Sequence, residues 1–320
     1  MTLGLAGLVV AAIGLPHLLR LEPFSPALAA TIWLAALVLR ALTAVFAALF
    51  IVLYLPATQL FSLVTHWCWH AVIPVVATHL PLNGHAFGDA AVIAPAFFLA
   101  ASAISVVLGL WRAGRRVRQM LAGSVVGRGP GESLVLPDQD VVVAAAGLRQ
   151  PRIVVSAGAL LTFDDEELAA SLDHEQGHIA RNHRFVLVIS HLCSALARPL
   201  PGTRAAAREL LFHLERDADR YAVARRHDPT ALASAICKAA GATSASATNA
   251  TFGLGGGVVT RRVRLLLDAE ASPRRREAPL RLLATAMITI TVMAVGALPA
   301  AAHDGYHETR SASTVQHCAN

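Results

Sequence analysis

The chain has 320 residues, 55% of them hydrophobic against 15% charged, with a mean hydropathy of +0.54. That composition excludes both an intrinsically disordered chain and a simple soluble globule. The charges are unevenly placed, since residues 112–281 hold 24 of the 27 Lys+Arg and 17 of the 21 Asp+Glu. A membrane part and a charged, water-facing part follow. Almost all the basic residues are arginine, Lys238 being the one lysine. Arg112, Arg115, Arg116, Arg118, Arg274, Arg275, Arg276 and Arg281 flank apolar runs. Their place fits membrane topology and anionic lipid, and no direct nucleic-acid partner is expected.

Four apolar runs are each near or above the roughly 20 residues that span a bilayer as a helix. They are residues 1–19, broken by His17, 27–57, broken by Arg40, 90–111 and 282–302. No basic residue precedes the first run and Arg20 follows it, so the N-terminus is expected outside, residues 58–89 outside, and 112–281 in the cytoplasm. Arg40 is expected to snorkel to the cytoplasmic face from a crossing that begins just after it. The outer loop carries His66, Trp67, Trp69, His70 and His79 in an apolar stretch at 58–82, which reads as an interfacial or re-entrant helix. His66 and His70 would share a helix face there, and solvated interfacial histidines are expected more than a metal or pH-sensing site. The topology puts Cys193 and Cys237 inside and Cys68 and Cys318 outside, with no CxxC pair and only a Cys68 to Cys318 disulfide open.

Residues 112–281 read as a small α+β domain. Short β-branched stretches at 134–136, 140–146 and 152–156, punctuated by Pro137, Gly147 and Pro151, suit a small sheet. A helix should begin at Asp164, with Glu167 completing a capping box and Leu168, Leu172 and Ile179 forming its buried stripe.

That helix carries His174-Glu175-Gln176-Gly177-His178, an HExxH pattern. Four residues are just over one helical turn, so both imidazoles leave one face and can grip one zinc ion, with Glu175 beside the metal-bound water. Chance would give about 0.02 such matches in a chain of this length and composition, so the motif is fairly specific. Zinc then needs one more protein ligand, a carboxylate or a third histidine from another segment. His183 lies five residues beyond His178, too near the same helix end to swing back easily. Downstream, Glu215 and Asp219 stand one turn apart in LERDAD. Taken alone, such a stretch would be a solvated acidic face paired with Arg216 or Arg220. Beside an HExxH motif, Glu215 becomes the natural third ligand and Asp219 the group that holds a ligating histidine's tautomer. His213 would point about 160° away from Glu215 and is expected at the surface.

The run RQPRIVVSAGALLTFDDEELAASLDHEQGHIARNH followed by ERDAD resembles the membrane zinc metallopeptidases of the beta-lactam-sensor, antirepressor type. More loosely it resembles the heat-shock and CAAX-prenyl membrane endopeptidases. The likeness covers roughly residues 140–225, with weaker support from the span layout and from RRVRLLLD at 261–268. It implies His174, His178 and Glu215 as zinc ligands, Glu175 as catalytic base and Asp219 as support. With 18 residues after the fourth run, the penicillin-binding sensor domain of the antirepressor proteins is not expected. The asparagine that the heat-shock and prenyl-protease relatives carry on the strand leading into the site has no counterpart in 141–146.

The expected architecture is therefore mostly α, a four-span helical membrane protein with a cytosolic α+β, zincin-like (gluzincin) metalloprotease domain between spans three and four. Its segments are a membrane domain at 1–111, a catalytic domain at 112–281, a fourth span at 282–302 and an outer tail at 303–320. The expected activity is zinc-dependent peptide hydrolysis, with one zinc per chain and Glu175 taking the proton of a zinc-activated water and passing it to the leaving amine. The strand at 152–156 is expected to hold an extended polypeptide substrate by edge pairing. Arg225, Arg226 and His227 are candidate transition-state partners. The segment 185–196 is expected to pack as a helix and 243–257 to form a flexible loop. Three roles compete: a regulatory protease that cuts a cytosolic repressor, a quality-control protease for membrane proteins, and a zinc-stabilised scaffold without turnover.

Overall fold

The structure, a computed structural model, describes residues 2–54, 84–123, 125–245, 256–268, 278–279, 281–290 and 292–293. The fold is mostly helical with one small mixed sheet. In chain order, α1 is Thr2–Leu18, α2 Pro26–Tyr54 and α3 Gly84–Gly123. Strands β1 (Gly127–Arg128), β2 (Leu134–Leu136), β3 (Val143–Ala146) and β4 (Arg152–Ser156) follow. Then come α4 (Ala157–Thr162), α5 (Asp165–Ala180), α6 (His183–Leu196), α7 (Thr203–Ala224), α8 (Pro229–Ala245) and α9 (Gly256–Leu267). A last apolar helix, α10, is Arg281–Ile290.

Among the described residues, two helices are long and apolar enough to cross a membrane: Pro26–Leu49 within α2 and Ile93–Gln119 within α3. This is consistent with a membrane protein. Helix α2 starts with proline at its first position, where the missing N–H costs nothing, and then runs through helix-favouring Ala and Leu. Helix α3 leaves Phe97, Ile104, Val107 and Trp111 exposed and continues through the arginines to Gly123, past the boundary expected at Trp111. Of the other expected spans, α1 is an apolar helix of 17 residues, and the described part of 282–302 forms α10 and residues 292–293. The interfacial segment at 58–82, Cys68, Cys318, the tail and most of the 243–257 loop lie outside the described residues.

Arg40 does not snorkel. It is 1% exposed, and its guanidinium donates to the carbonyls of Ile13 (3.1 Å) and Ala36 (3.3 Å) and lies 2.6 Å from His17 Nε2. A buried guanidinium is tolerated where its donors find acceptors, and here it bolts α1 to α2. The same end of the side chain lies against Gly202, the residue before α7, where an added Cβ would sit 3.2 Å from both Arg40 and His17. Gly202 also has φ of 77°, so glycine is favoured there on both counts.

The main apolar core joins the two parts of the sequence. Ile32, Trp33, Leu37 and Leu39 of α2 pack with Leu210 and Leu214 of α7, Cys193 of α6 and Met287 of α10. Polar contacts fasten the same junction: Arg216 donates to the Glu22 carbonyl (2.9 Å), and Arg261 pairs with the carboxylates of Glu22 and Glu209. The expected helical packing of 185–196 is found as α6, which lies against both α2 and α3.

The sheet has the order β1-β2-β4-β3, with β2 and β4 parallel and the other pairs antiparallel. Strand β4 is therefore paired on both sides and cannot receive a substrate strand, contrary to the sequence-based expectation. The edge strands of the described sheet are β1 and β3, and β3 is the one packed beside α5. This strand begins at Val143 and not at 140 because the preceding residues are used in a turn: Asp138 Oδ1 accepts from Asp140 N, and Ser156 Oγ bonds the Asp140 carbonyl and Val142 N. Ser156 also caps α4 through Ala159 N (3.0 Å).

Helix α5 starts as its sequence predicts. Asp164 accepts from Glu167 N at 2.8 Å and Glu167 accepts from Asp164 N at 3.0 Å, a closed capping box. Glu167 is 3% exposed and also binds Lys238 (2.6 Å) and Ser234 (2.6 Å) of α8. The start of the motif helix is thereby tied to a neighbouring helix.

Candidate metal centre

Helix α5 presents His174 and His178 on one face, and α7 lies across that face with Glu215 and Asp219. One ligand atom from each of His174, His178 and Glu215 falls within a 4.8 Å cluster. The two Nε2 atoms are 3.2 Å apart, His178 Nε2 is 3.5 Å from Glu215 Oε1, and His174 Nε2 is 3.6 Å from Glu215 Oε2. Three ligands at the 2.0–2.2 Å typical of tetrahedral zinc would stand about 3.3–3.6 Å from one another. The donor set and its spacing therefore fit a divalent metal held by the two imidazoles and the Glu215 carboxylate.

The electrostatics favour a cation at the same point. His174 is deeply buried, which pushes its pKa down, yet Asp219 at 2.9 Å and Glu215 outweigh burial and raise it to about 10. His178 is held neutral instead, lowered to about 4 by burial and by neighbouring positive charges against the pull of Glu215. Glu215 is held well below the carboxylate range, since Arg262 and the histidines overcome the penalty of burial. Asp219 is lowered too, with Arg262 and His174 overcoming burial. Glu175 moves the other way, upward, because burial and the charge of Glu215 disfavour its ionised form. Its Oε2 accepts from Ala145 N at 2.8 Å, so the carboxyl is fixed against the free edge of β3.

Arg262 of α9 was not among the candidate residues. Its Nη1 donates to Glu215 Oε2 at 2.6 Å, while Nε and Nη2 donate to Asp219 at 3.1 and 2.7 Å. One guanidinium thus holds both Glu215 and Asp219, leaving Glu215 Oε1 turned to His178. The pattern that could have revealed it is the position of Arg262 on the face of α9 that carries buried Leu266, four residues on. An arginine in line with a buried leucine calls for an acidic partner.

Gly177 inside the motif permits the close approach of α7. An added Cβ would meet the Tyr221 side chain at 3.0–3.2 Å. Gly177→Ala is expected to destabilise the protein by about 1–3 kcal/mol through overpacking and to weaken metal retention without altering a ligand. Unfolding of the full-length protein in detergent, followed with metal content, checks both.

Other candidates lie elsewhere. His213 is not at the surface: it is 1% exposed beside Phe212 and Arg216, and burial with Arg216 and Arg261 pushes its pKa down to about 3. Arg225, Arg226 and His227 are not brought to the cluster. His227 bridges Asp173 (2.8 Å) and Glu166 (3.2 Å) of α5, Arg225 donates to the Tyr221 hydroxyl (2.6 Å), and Arg226 occupies the left-handed turn after α7 with φ of 71°.

For His227, burial lowers the pKa but the two carboxylates win and raise it above 6.5. A raised value stabilises the fold fully below the unfolded value, and the gain disappears as pH rises through the folded one. His227→Gln is thus expected to lower the unfolding temperature more at pH 6 than at pH 9. Equal losses at both would show that the ion pairs contribute nothing.

No curated protein and no solved structure matches the chain. Residues 115–210, which span the end of α3, the sheet, the HExxH helix, α6 and the first part of α7, match the family model described as Peptidase family M48. With His174 and His178 inside that segment and Glu215 just beyond it, the chain is consistent with the metallopeptidases of Peptidase family M48.

Proposed function

We propose that the chain is an integral membrane zinc endopeptidase, with one zinc per chain held by His174, His178 and Glu215. Glu175 is the catalytic base and Asp219 the support of His174. The observation that carries this reading is the juxtaposition of the metal-fitting triad with Glu175 and the free edge of β3. Zinc bound there would supply Lewis acidity and a water acidic enough to lose a proton near neutral pH. Glu175, whose Oε2 is fixed by Ala145 N, would accept that proton and return it to the leaving amine. Main-chain groups of β3 bind an extended substrate beside it, a role the sequence had suggested for the neighbouring strand.

The proposed substrate is a cytosolic protein such as a transcriptional repressor, cut when the membrane part is perturbed. In the proposed topology four spans leave the N-terminus outside and the catalytic domain in the cytoplasm. A second reading, cleavage of damaged membrane proteins, is favoured by the packing of α6 and α7 on α2, which keeps the site close to the apolar helices. Comparing the proteins that accumulate in cells carrying Glu175→Ala with those carrying the parent separates the readings. A short set of soluble repressors supports the first and a broad set of membrane proteins the second. If neither accumulates, the endopeptidase reading fails in favour of a zinc-stabilised scaffold.

A further inference from the structure

His174 is backed directly by Asp219, but His178 has no carboxylate on its outer nitrogen. Its Nδ1 lies instead 2.9 Å from Nδ1 of His183, and His183 Nε2 lies 3.2 Å from Asp217 Oδ2. Arg181 closes the chain by donating to both oxygens of Asp217 at 2.7 and 2.8 Å. His183 and Asp217 are each 3% exposed. The sequence places His183 too near the end of α5 to turn back, yet it does so because Asn182 takes the left-handed conformation (φ of 56°) and reverses the chain between α5 and α6. It returns to the nitrogen of His178 opposite the metal-facing one.

The hydrogen bonds select one arrangement of protons. Two facing ring nitrogens form a bond only when one carries the hydrogen and the other a lone pair. Asp217 shares its charge with Arg181 and accepts from His183, which places the His183 proton on Nε2 and leaves Nδ1 as an acceptor. His178 must then donate from Nδ1, and its Nε2 keeps the lone pair that faces His174 and Glu215. The reverse arrangement would put a hydrogen on the metal-facing nitrogen.

We propose that His183, supported by Asp217 and Arg181, is a positioning residue that fixes the tautomer and ring orientation of His178 for metal binding. The inference rests on the metal-centre reading above. It makes the site symmetrical in function: each histidine ligand is held from behind by an acid of α7, Asp219 directly and Asp217 through a second imidazole. Partners of this kind change metal affinity even though they never touch the metal.

The test is zinc affinity of the purified full-length protein, measured by chelator competition at one pH. His183→Leu, which keeps the bulk and removes the acceptor, is expected to bind zinc about 10–100-fold more weakly than the parent. His183→Asn, whose side-chain oxygen can still accept from His178 Nδ1, is expected to recover most of that loss. With cobalt as the probe, the visible absorption bands should shift in His183→Leu and return toward the parent in His183→Asn. Equal affinity of His183→Leu and parent, or equal weakening by leucine and asparagine, overturns the inference. Should the leucine variant not fold, Asp217→Asn at unchanged size provides the second readout, expected weaker for zinc and contradictory if unchanged. A parent that binds no zinc removes the metal centre itself, an outcome distinct from failure of His183 alone.

Discussion

Glu175→Gln is expected to lower peptide cleavage by about 10²–10⁴-fold, the usual contribution of a positioned general base, while leaving metal content unchanged. The fold should survive because the amide oxygen can still accept from Ala145 N, the bond that fixes the native carboxylate at 2.8 Å. Only the capacity to take and return a proton is removed. Cleavage of an unfolded or peptide substrate by parent and variant, with metal assayed on the same preparations, provides the check. Retained cleavage would take Glu175 out of the chemistry.

Arg262→Met should have the largest effect on the fold. It leaves Glu215 and Asp219 without the guanidinium that now neutralises both, and removing one partner from a buried ion pair costs about 3–5 kcal/mol. Arg262 is 8% exposed and Asp219 4%, so water cannot replace what is lost. Loss of metal affinity should accompany the loss of stability, because Glu215 is free to turn when its outer oxygen has no donor. Unfolding in detergent and metal competition measure the two effects. A variant as stable as the parent would show that the acids tolerate burial without Arg262.

How far the sequence revealed these features depended on the range of the interactions involved. The start of α5 was legible because a capping box is local: Asp164 and Glu167 make the same bonds whatever surrounds them. The strands at 134–136 and 152–156 were legible as β-branched runs. Their pairing was not, since the order β1-β2-β4-β3 depends on contacts across the sheet, which put β4 between two partners and β3 at the edge. The approach of Glu215 and Asp219 to the motif helix could be inferred from helical spacing and metal chemistry. Among the arginines at 261–264, Arg262 is marked in the sequence by its alignment with buried Leu266 alone, because its partners Glu215 and Asp219 lie more than 40 residues away. Arg40 was misread because snorkelling assumes lipid around the helix, whereas α1 and the beginning of α7 surround it with protein. His183 was set aside because helical geometry was extended through Asn182, where the left-handed turn ends it.

The junction of α2 and α7 links the apolar helices to the acids of the site. Helix α7 buries Leu210 and Leu214 against α2 and carries Glu215 and Asp219 to α5, so a shift of α2 must be borne by the element that holds the acids. Arg216 and Arg261 hold the α1–α2 connection at Glu22, and Arg261 is the neighbour of Arg262.

His174, His178 and Glu215 are proposed to hold one metal ion together. Elemental analysis of the purified full-length parent and of Glu215→Ala, prepared side by side without added metal, tests it most directly. One zinc per chain in the parent and far less in the variant is the result expected here; the same zinc content in both, or none in the parent, would contradict it.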